Sequence, residues 1–191
     1  MKTLHLFTAL FILTTFFISC NAQTVSLEEA AQCDNDPNCP NYIYAKDINN
    51  SLNKYVGTWK GTLSGKIYEL KFNKGLFEMM GDKRDVLKGR LRITDANSNI
   101  LYNTFNETDD EKTNFGGLNY TGDLQYYLMH FSGPGTEGCI NRGTVYLSIN
   151  TTDPTKMSFI YLLSYDITNG ECPSTFVSTI PQKQRIYLTK Q

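Results

Sequence analysis

Tyr68, Leu70 and Phe72 alternate with Glu69 and Lys71, a period of two that predicts a half-buried strand. The alternation starts at Gly57 and recurs to the end of the chain. Asn73-Lys74-Gly75 reads as a turn leading into Leu76 to Met80. After Gly81-Asp82-Lys83, the residues Leu87, Gly89, Leu91 and Ile93 share one face, and Lys88, Arg90 and Arg92 the other. A turn over Asp95 to Asn99 leads into Ile100 to Phe105. Phe115 to Tyr120, Tyr126 to Phe131, Thr144 to Thr151, Met157 to Tyr165 and Arg185 to Thr189 complete the series. About eight or nine short strands between Asn/Asp/Gly turns, with no long helix for a parallel crossover, predict an all-β domain. It is either an antiparallel up-and-down barrel or a sandwich. Met157 to Tyr165 is apolar on both faces, so cover is expected on both sides, with the N-terminal helical segment as candidate for one.

Two short helices precede the strands. Ser26-Leu27-Glu28-Glu29 reads as a capping box, in which Ser26 covers an orphan N–H and Glu29 reaches back. Asp47 can cap a second helix whose apolar positions Ile48, Leu52, Tyr55 and Val56 recur at helical spacing. No internal repeat or low-complexity linker interrupts residues 47–191, which are read as one domain.

The first residues read differently. Lys2 is followed by an apolar run from Leu4 to Ile18, too short for the roughly 20 residues a spanning helix needs. Residues 1–19 therefore read as an export signal. The run ends in Phe17-Ile18-Ser19-Cys20, which resembles a bacterial lipobox: Cys20 is acylated and becomes the mature N-terminus, and residues 20–46 form a tether closed by a cysteine loop. The alternative is ordinary cleavage after Ala22, at Cys20-Asn21-Ala22, giving a soluble secreted or periplasmic protein. No Asp follows Cys20 at the second position, so nothing resembles inner-membrane retention. An outer-membrane lipid anchor is expected, with the membrane face open.

Both cleavages leave Cys33, Cys39, Cys139 and Cys172, an even number in a compartment that permits disulfides. Three connectivities are open. Cys33–Cys39 with Cys139–Cys172 is preferred, because the first two are close and the others sit in separate Gly/Pro-punctuated loops. Zinc is the competing reading, although none of the spacings is the short knuckle of zinc sites. Asp34, Asn35, Asp36 and Asn38 could offer oxygens to calcium, but such residues more often form Asx turns. No metal and no cofactor are expected.

Composition narrows the function. The chain has 191 residues, 18 Lys+Arg against 19 Asp+Glu, and a formal charge of −1, so it lacks the basic face that nucleic acid requires. Of two histidines, His5 leaves with the signal and His130 sits alone on an alternating strand. A Ser-His-Asp triad or Cys-His dyad would have to use His130, whose bland reading is a packed or surface residue, and once the cysteines are paired no thiol nucleophile remains. A carboxylate pair stays open to glycoside chemistry, with Glu69 and Glu78 flanking a predicted hairpin. The bland reading of both is solvent-facing alternation. Lys88, Arg90 and Arg92 would suit an anion if their face lined a cavity, and are solubility chemistry if it faces water. Tyr126, Tyr127 and Tyr161 could form an aromatic binding surface, or simply fill half-buried strand positions.

Tyr55-Val56-Gly57-Thr58-Trp59-Lys60-Gly61 resembles the Gly-x-Trp opening of lipocalin-like barrels. The resemblance implies a calycin-like meander in which Trp59 plugs the closed end and an Arg of the last strand, here Arg185, packs across the indole. Lys46 to Tyr55, Leu87-Lys88-Gly89-Arg90 with Ile93, Cys139, Cys172-Pro173 and the terminal Leu188-Thr189-Lys190-Gln191 resemble a family of exported Bacteroidota lipoproteins of uncharacterised function. Ile18-Ser19-Cys20 with Ala22-Gln23 is similar to that family's signal-peptide ends. The resemblance implies compartment and a single domain, but no catalytic residue. The function expected is non-catalytic binding of a small apolar or amphipathic ligand in a barrel calyx by a monomer. A cell-envelope protein-interaction module or enzyme inhibitor with a filled barrel is the alternative.

Overall fold

The computed structural model describes residues 24–33, 38, 39, 41–166 and 168–191. The stretch read as an export signal, Cys20 and most of the Asx-rich stretch weighed for calcium lie outside them. In chain order the elements are β1 (Thr24–Ser26), α1 (Leu27–Cys33), β2 (Tyr44–Lys46), β3 (Gly57–Leu63), β4 (Lys66–Met79), β5 (Asp82–Thr94), β6 (Ile100–Asn103), β7 (Phe115–Tyr120), β8 (Tyr127–Ser132), β9 (Arg142–Ile149), β10 (Lys156–Leu163) and β11 (Arg185–Lys190).

Eight of these strands close an antiparallel barrel in the order β5-β4-β3-β11-β10-β9-β8-β7, and β7 returns to β5 through Lys88 opposite Gly116. The second edge of β5 serves three partners in succession: β2 at Lys83 and Arg84, β7 at Lys88, and β6 from Arg92 to Thr94. β1 pairs in parallel with β2, so residues 24–46, expected as a tether, add two strands and a helix to the sheet. The capping box forms as its spacing predicts: Ser26 Oγ accepts from Glu29 N at 3.1 Å and Glu29 Oε2 accepts from Ser26 N at 2.8 Å.

Two expectations about the strands are corrected. Asn73-Lys74-Gly75 is no turn, because β4 runs unbroken from Lys66 to Met79 and the reversal falls at Met80-Gly81. Gly75 is needed inside the strand, since a Cβ there would stand 2.7 Å from the Lys88 side chain that crosses it. Nor does the N-terminal helix cover β10. It packs on β7, β1 and β2, leaving Ile160 half-buried and Leu162 exposed on the outside.

The lumen is filled by its own side chains. Trp59, Leu70, Phe72, Leu91, Met129, Phe131, Val145, Leu147, Phe159 and Tyr161 are all buried. Edge-to-face rings run across it, from Phe72 to Phe115 at 5.7 Å, Phe115 to Phe131 at 5.6 Å and Phe131 to Tyr161 at 5.8 Å. One end is closed by the 3-10 turn Ser51–Lys54, which seats Leu52 and is followed by buried Tyr55. Asp47 fixes that turn by accepting from Leu52 N and Ser51 Oγ, while Lys74 pairs with its other oxygen at 2.6 Å. At the other end the segment between β10 and β11 carries buried Ile180. Thr179 N donates to Asn141 Oδ1 at 3.0 Å, and Cys139–Cys172 joins the same two loops.

Candidate binding face

The outside of β8 to β11 is the described face that the chain leaves uncovered while giving it aromatic character. Register places Tyr187, Ser158 and Ser148 in one row, Arg185, Ile160, Tyr146 and Leu128 in the next, and Leu162, Thr144 and His130 in a third. Tyr126 packs edge-on against Tyr146 at 5.9 Å. The one formal charge within these rows is Arg185, whose Nη1 donates to Ser158 Oγ at 2.9 Å. Because serines occupy the middle of the first row, the surface dips beside the 72% exposed Tyr187. The resulting groove of about 390 Å³ is lined by Ser148, Asn150, Lys156, Ser158, Tyr187 and Thr189. Ring faces and hydroxyl donors side by side suit stacking combined with a few hydrogen bonds. His130 lies exposed on this face opposite Thr144, and no hydrogen bond joins it to a nucleophile among the described residues.

The cationic row lies neither in a cavity nor in open water. Lys88, Arg90 and Arg92 point outward from β5 and are roofed by the strap between β6 and β7. Lys88 Nζ donates to Glu111 at 2.6 Å, Arg90 Nε to the Glu107 carbonyl at 2.6 Å, and Arg90 Nη2 to Asp110 at 2.7 Å. Arg92 Nε donates to Glu69 at 2.7 Å and its guanidinium stacks over Phe105 at 4.7 Å. The acidic run Glu107 to Glu111 is the signal that the row has an intramolecular partner.

At the indole the expected residue is replaced by another. Trp59 is fully buried and its Nε1 donates to the Tyr55 carbonyl at 2.7 Å, but the cation over its ring is Lys190, 5.3 Å from the ring centroid. Arg185 has the wrong parity: Ile186 and Leu188 point inward, so Lys190 is in phase with the lumen and Arg185 faces out. That phase was legible in the alternation. Gly57 sits with positive φ beside Lys190, 3.1 Å from its Cε to where a Cβ would lie.

Tyr126 and Tyr161 are on opposite sides of the wall. Tyr161 is inside, and its hydroxyl has no hydrogen-bond partner among the described residues. Burial pushes its phenol up to about 12. Glu69 and Glu78 do not converge: nine residues apart on one strand, they point to opposite faces and stand about 30 Å apart along it. The hydrogen bond from Arg92 holds the Glu69 carboxyl below its usual value. Cys33, Cys39, Cys139 and Cys172 form the disulfides Cys33–Cys39 and Cys139–Cys172, so in this state their sulfurs are not thiolates open to zinc.

The chain belongs to a family of unknown function (DUF6705), which matches residues 1–186. No curated protein and no solved structure matches it.

Proposed function

We propose that this member of the family is an exported, non-catalytic binding domain, anchored to the outer membrane by acylated Cys20, and that its partner docks on the outer face of β8 to β11. The observation that carries this reading is the contrast between lumen and wall. The lumen is packed with rings and stopped at both ends by Tyr55 and Ile180, which disfavours a calyx for a small apolar ligand. The outer wall carries Tyr126, Leu128, Tyr146, Ile160, Leu162 and Tyr187 with little charge, a composition suited to a protein interface centred on aromatic anchors. The dispersed acids Glu69 and Glu78, and the lack among the described residues of a nucleophile hydrogen-bonded to His130, support a non-catalytic role.

Three measurements test this. Intact mass of the protein purified from its own membranes should show an acyl increment on Cys20; cleavage after Ala22 would remove the anchor from the proposal. Native mass before and after denaturation should show no small molecule lost, and a released ligand would favour the calyx. A photo-crosslinker at Leu162, in intact envelopes, should give one discrete adduct that is missing when it is moved to Lys71 on β4. Equal labelling from both positions would count against the wall as the docking face.

A further inference from the structure

We infer that the tip of the β4–β5 hairpin, Met79-Met80 together with Ile43, docks on a lipid surface; this rests on the proposal that Cys20 carries the membrane anchor. Beyond the barrel, β4 and β5 continue as a two-stranded arm ending at Met80-Gly81. Both turn residues have positive φ, 51° at Met80 and 87° at Gly81, the geometry of a two-residue hairpin loop that favours Asn-Gly. A methionine there is a poor choice for folding. It is also 100% exposed, with Met79 and Ile43 more than half exposed beside it. Folding explains none of these three apolar side chains, and unbranched, polarizable methionines adapt well to an irregular apolar medium.

Register says where the anchor would lie. Thr24 is opposite Tyr44, Tyr44 opposite Lys83, and Lys83 opposite Glu78, so the start of β1 is level with the hairpin tip and about 10 Å across the sheet from β5. β1 and β2 both run parallel with β5, which leads from the tip towards the barrel. The N-terminal end of β1 is therefore its tip end. Cys20 is four residues before Thr24, a span of at most about 14 Å. An acyl chain on Cys20 would thus hold the tip against the bilayer, and the domain would not hang from it on a long leash. The charges around the tip, Glu78, Asp82, Lys83 and Arg84, sum to zero. Arg84 Nη2 pairs with Asp82 at 2.6 Å and Lys83 Nζ lies over the Tyr44 ring at 5.1 Å. Contact through apolar side chains, and not attraction to anionic headgroups, is what this arrangement supports.

The test uses the acylated full-length mature chain with Met80→Trp in phosphatidylcholine vesicles whose acyl chains carry bromine. Expected is a blue shift and at least twofold quenching of the added fluorescence relative to the parent protein, whose Trp59 is buried. Lys71→Trp, on the side of the barrel, should remain unquenched. Anchored protein whose Met80→Trp emission is quenched no more than that of Lys71→Trp overturns the proposal and leaves the anchor intact. If intact mass shows no lipid on Cys20, the anchoring reading fails by itself. The same variants, held on nickel-chelating vesicles by a histidine tag placed before Asn21, then decide the tip: quenching at position 80 supports it and none overturns it. A solution dimer that Met80→Asp dissociates would assign the tip to a second copy of the chain and overturn the lipid assignment.

Discussion

Lys190 Nζ lies 5.3 Å from the centroid of the Trp59 ring and closes the packing around the indole where β11 meets β3. The contact joins the last strand to the first strand of the barrel, with Lys190 directly opposite Trp59 in the ladder. Lys190→Ala should destabilise the protein by about 0.5–2 kcal/mol through loss of the cation–π contact and the stem's packing. Arg185→Ala, which removes an exposed side chain, should cost less. Urea unfolding of both variants compares them directly; a larger loss at Arg185 would contradict the assignment.

Gly89 lets the barrel close around an aromatic ring. A Cβ there would stand 2.6 Å from the Phe115 ring, whereas one at Gly116 would meet nothing within 4 Å. Gly89→Ala should cost about 1–3 kcal/mol by overpacking, and Gly116→Ala well under that. Thermal unfolding of the pair checks it.

The pair Glu69–Arg92 should make stability fall in acid. The hydrogen bond from Arg92 holds the folded-state Glu69 carboxyl below its ordinary value, so the stabilisation is fully present above the unfolded pKa, roughly 4.3. It is lost as pH falls through the lower folded value. Arg92→Gln should remove this contribution and flatten stability against pH in that acidic window, with little change in the shape of the curve above pH 6. Denaturant midpoints measured from pH 2 to 7 give the comparison.

The Cys139–Cys172 bridge spans 33 residues of sequence and ties the loop that carries Ile180 to the one that carries Asn141. Replacing both cysteines by serine should cost about 2–4 kcal/mol. It should speed amide exchange first around residues 176–183 and only later in β8 and β9. Uniformly faster exchange across the barrel would mean that the bridge holds the whole fold and not the loop end.

Alternation along the chain marked most of the barrel strands and which side chains share a face, because a strand's two faces are written in a period of two; it missed β1 and β2 and broke β4 at Gly75. The capping box at Ser26 was legible for a similar reason, since its partners are three residues apart. Proximity and loop context favoured the cysteine pairing that forms, with three connectivities left open by the sequence. Tertiary structure alone decided what each face meets. Lys88, Arg90 and Arg92 were visible as a row, but only the course of the strap brought Asp110 and Glu111 above it. Gly75 looked like a turn because a local pattern cannot reveal that the Lys88 stem crosses above it. The placement of α1 on β7, away from β10, likewise depends on β2 joining β5 in parallel, a long-range pairing. Such pairings depend on the fit between distant segments, which leaves no periodic mark in either segment alone.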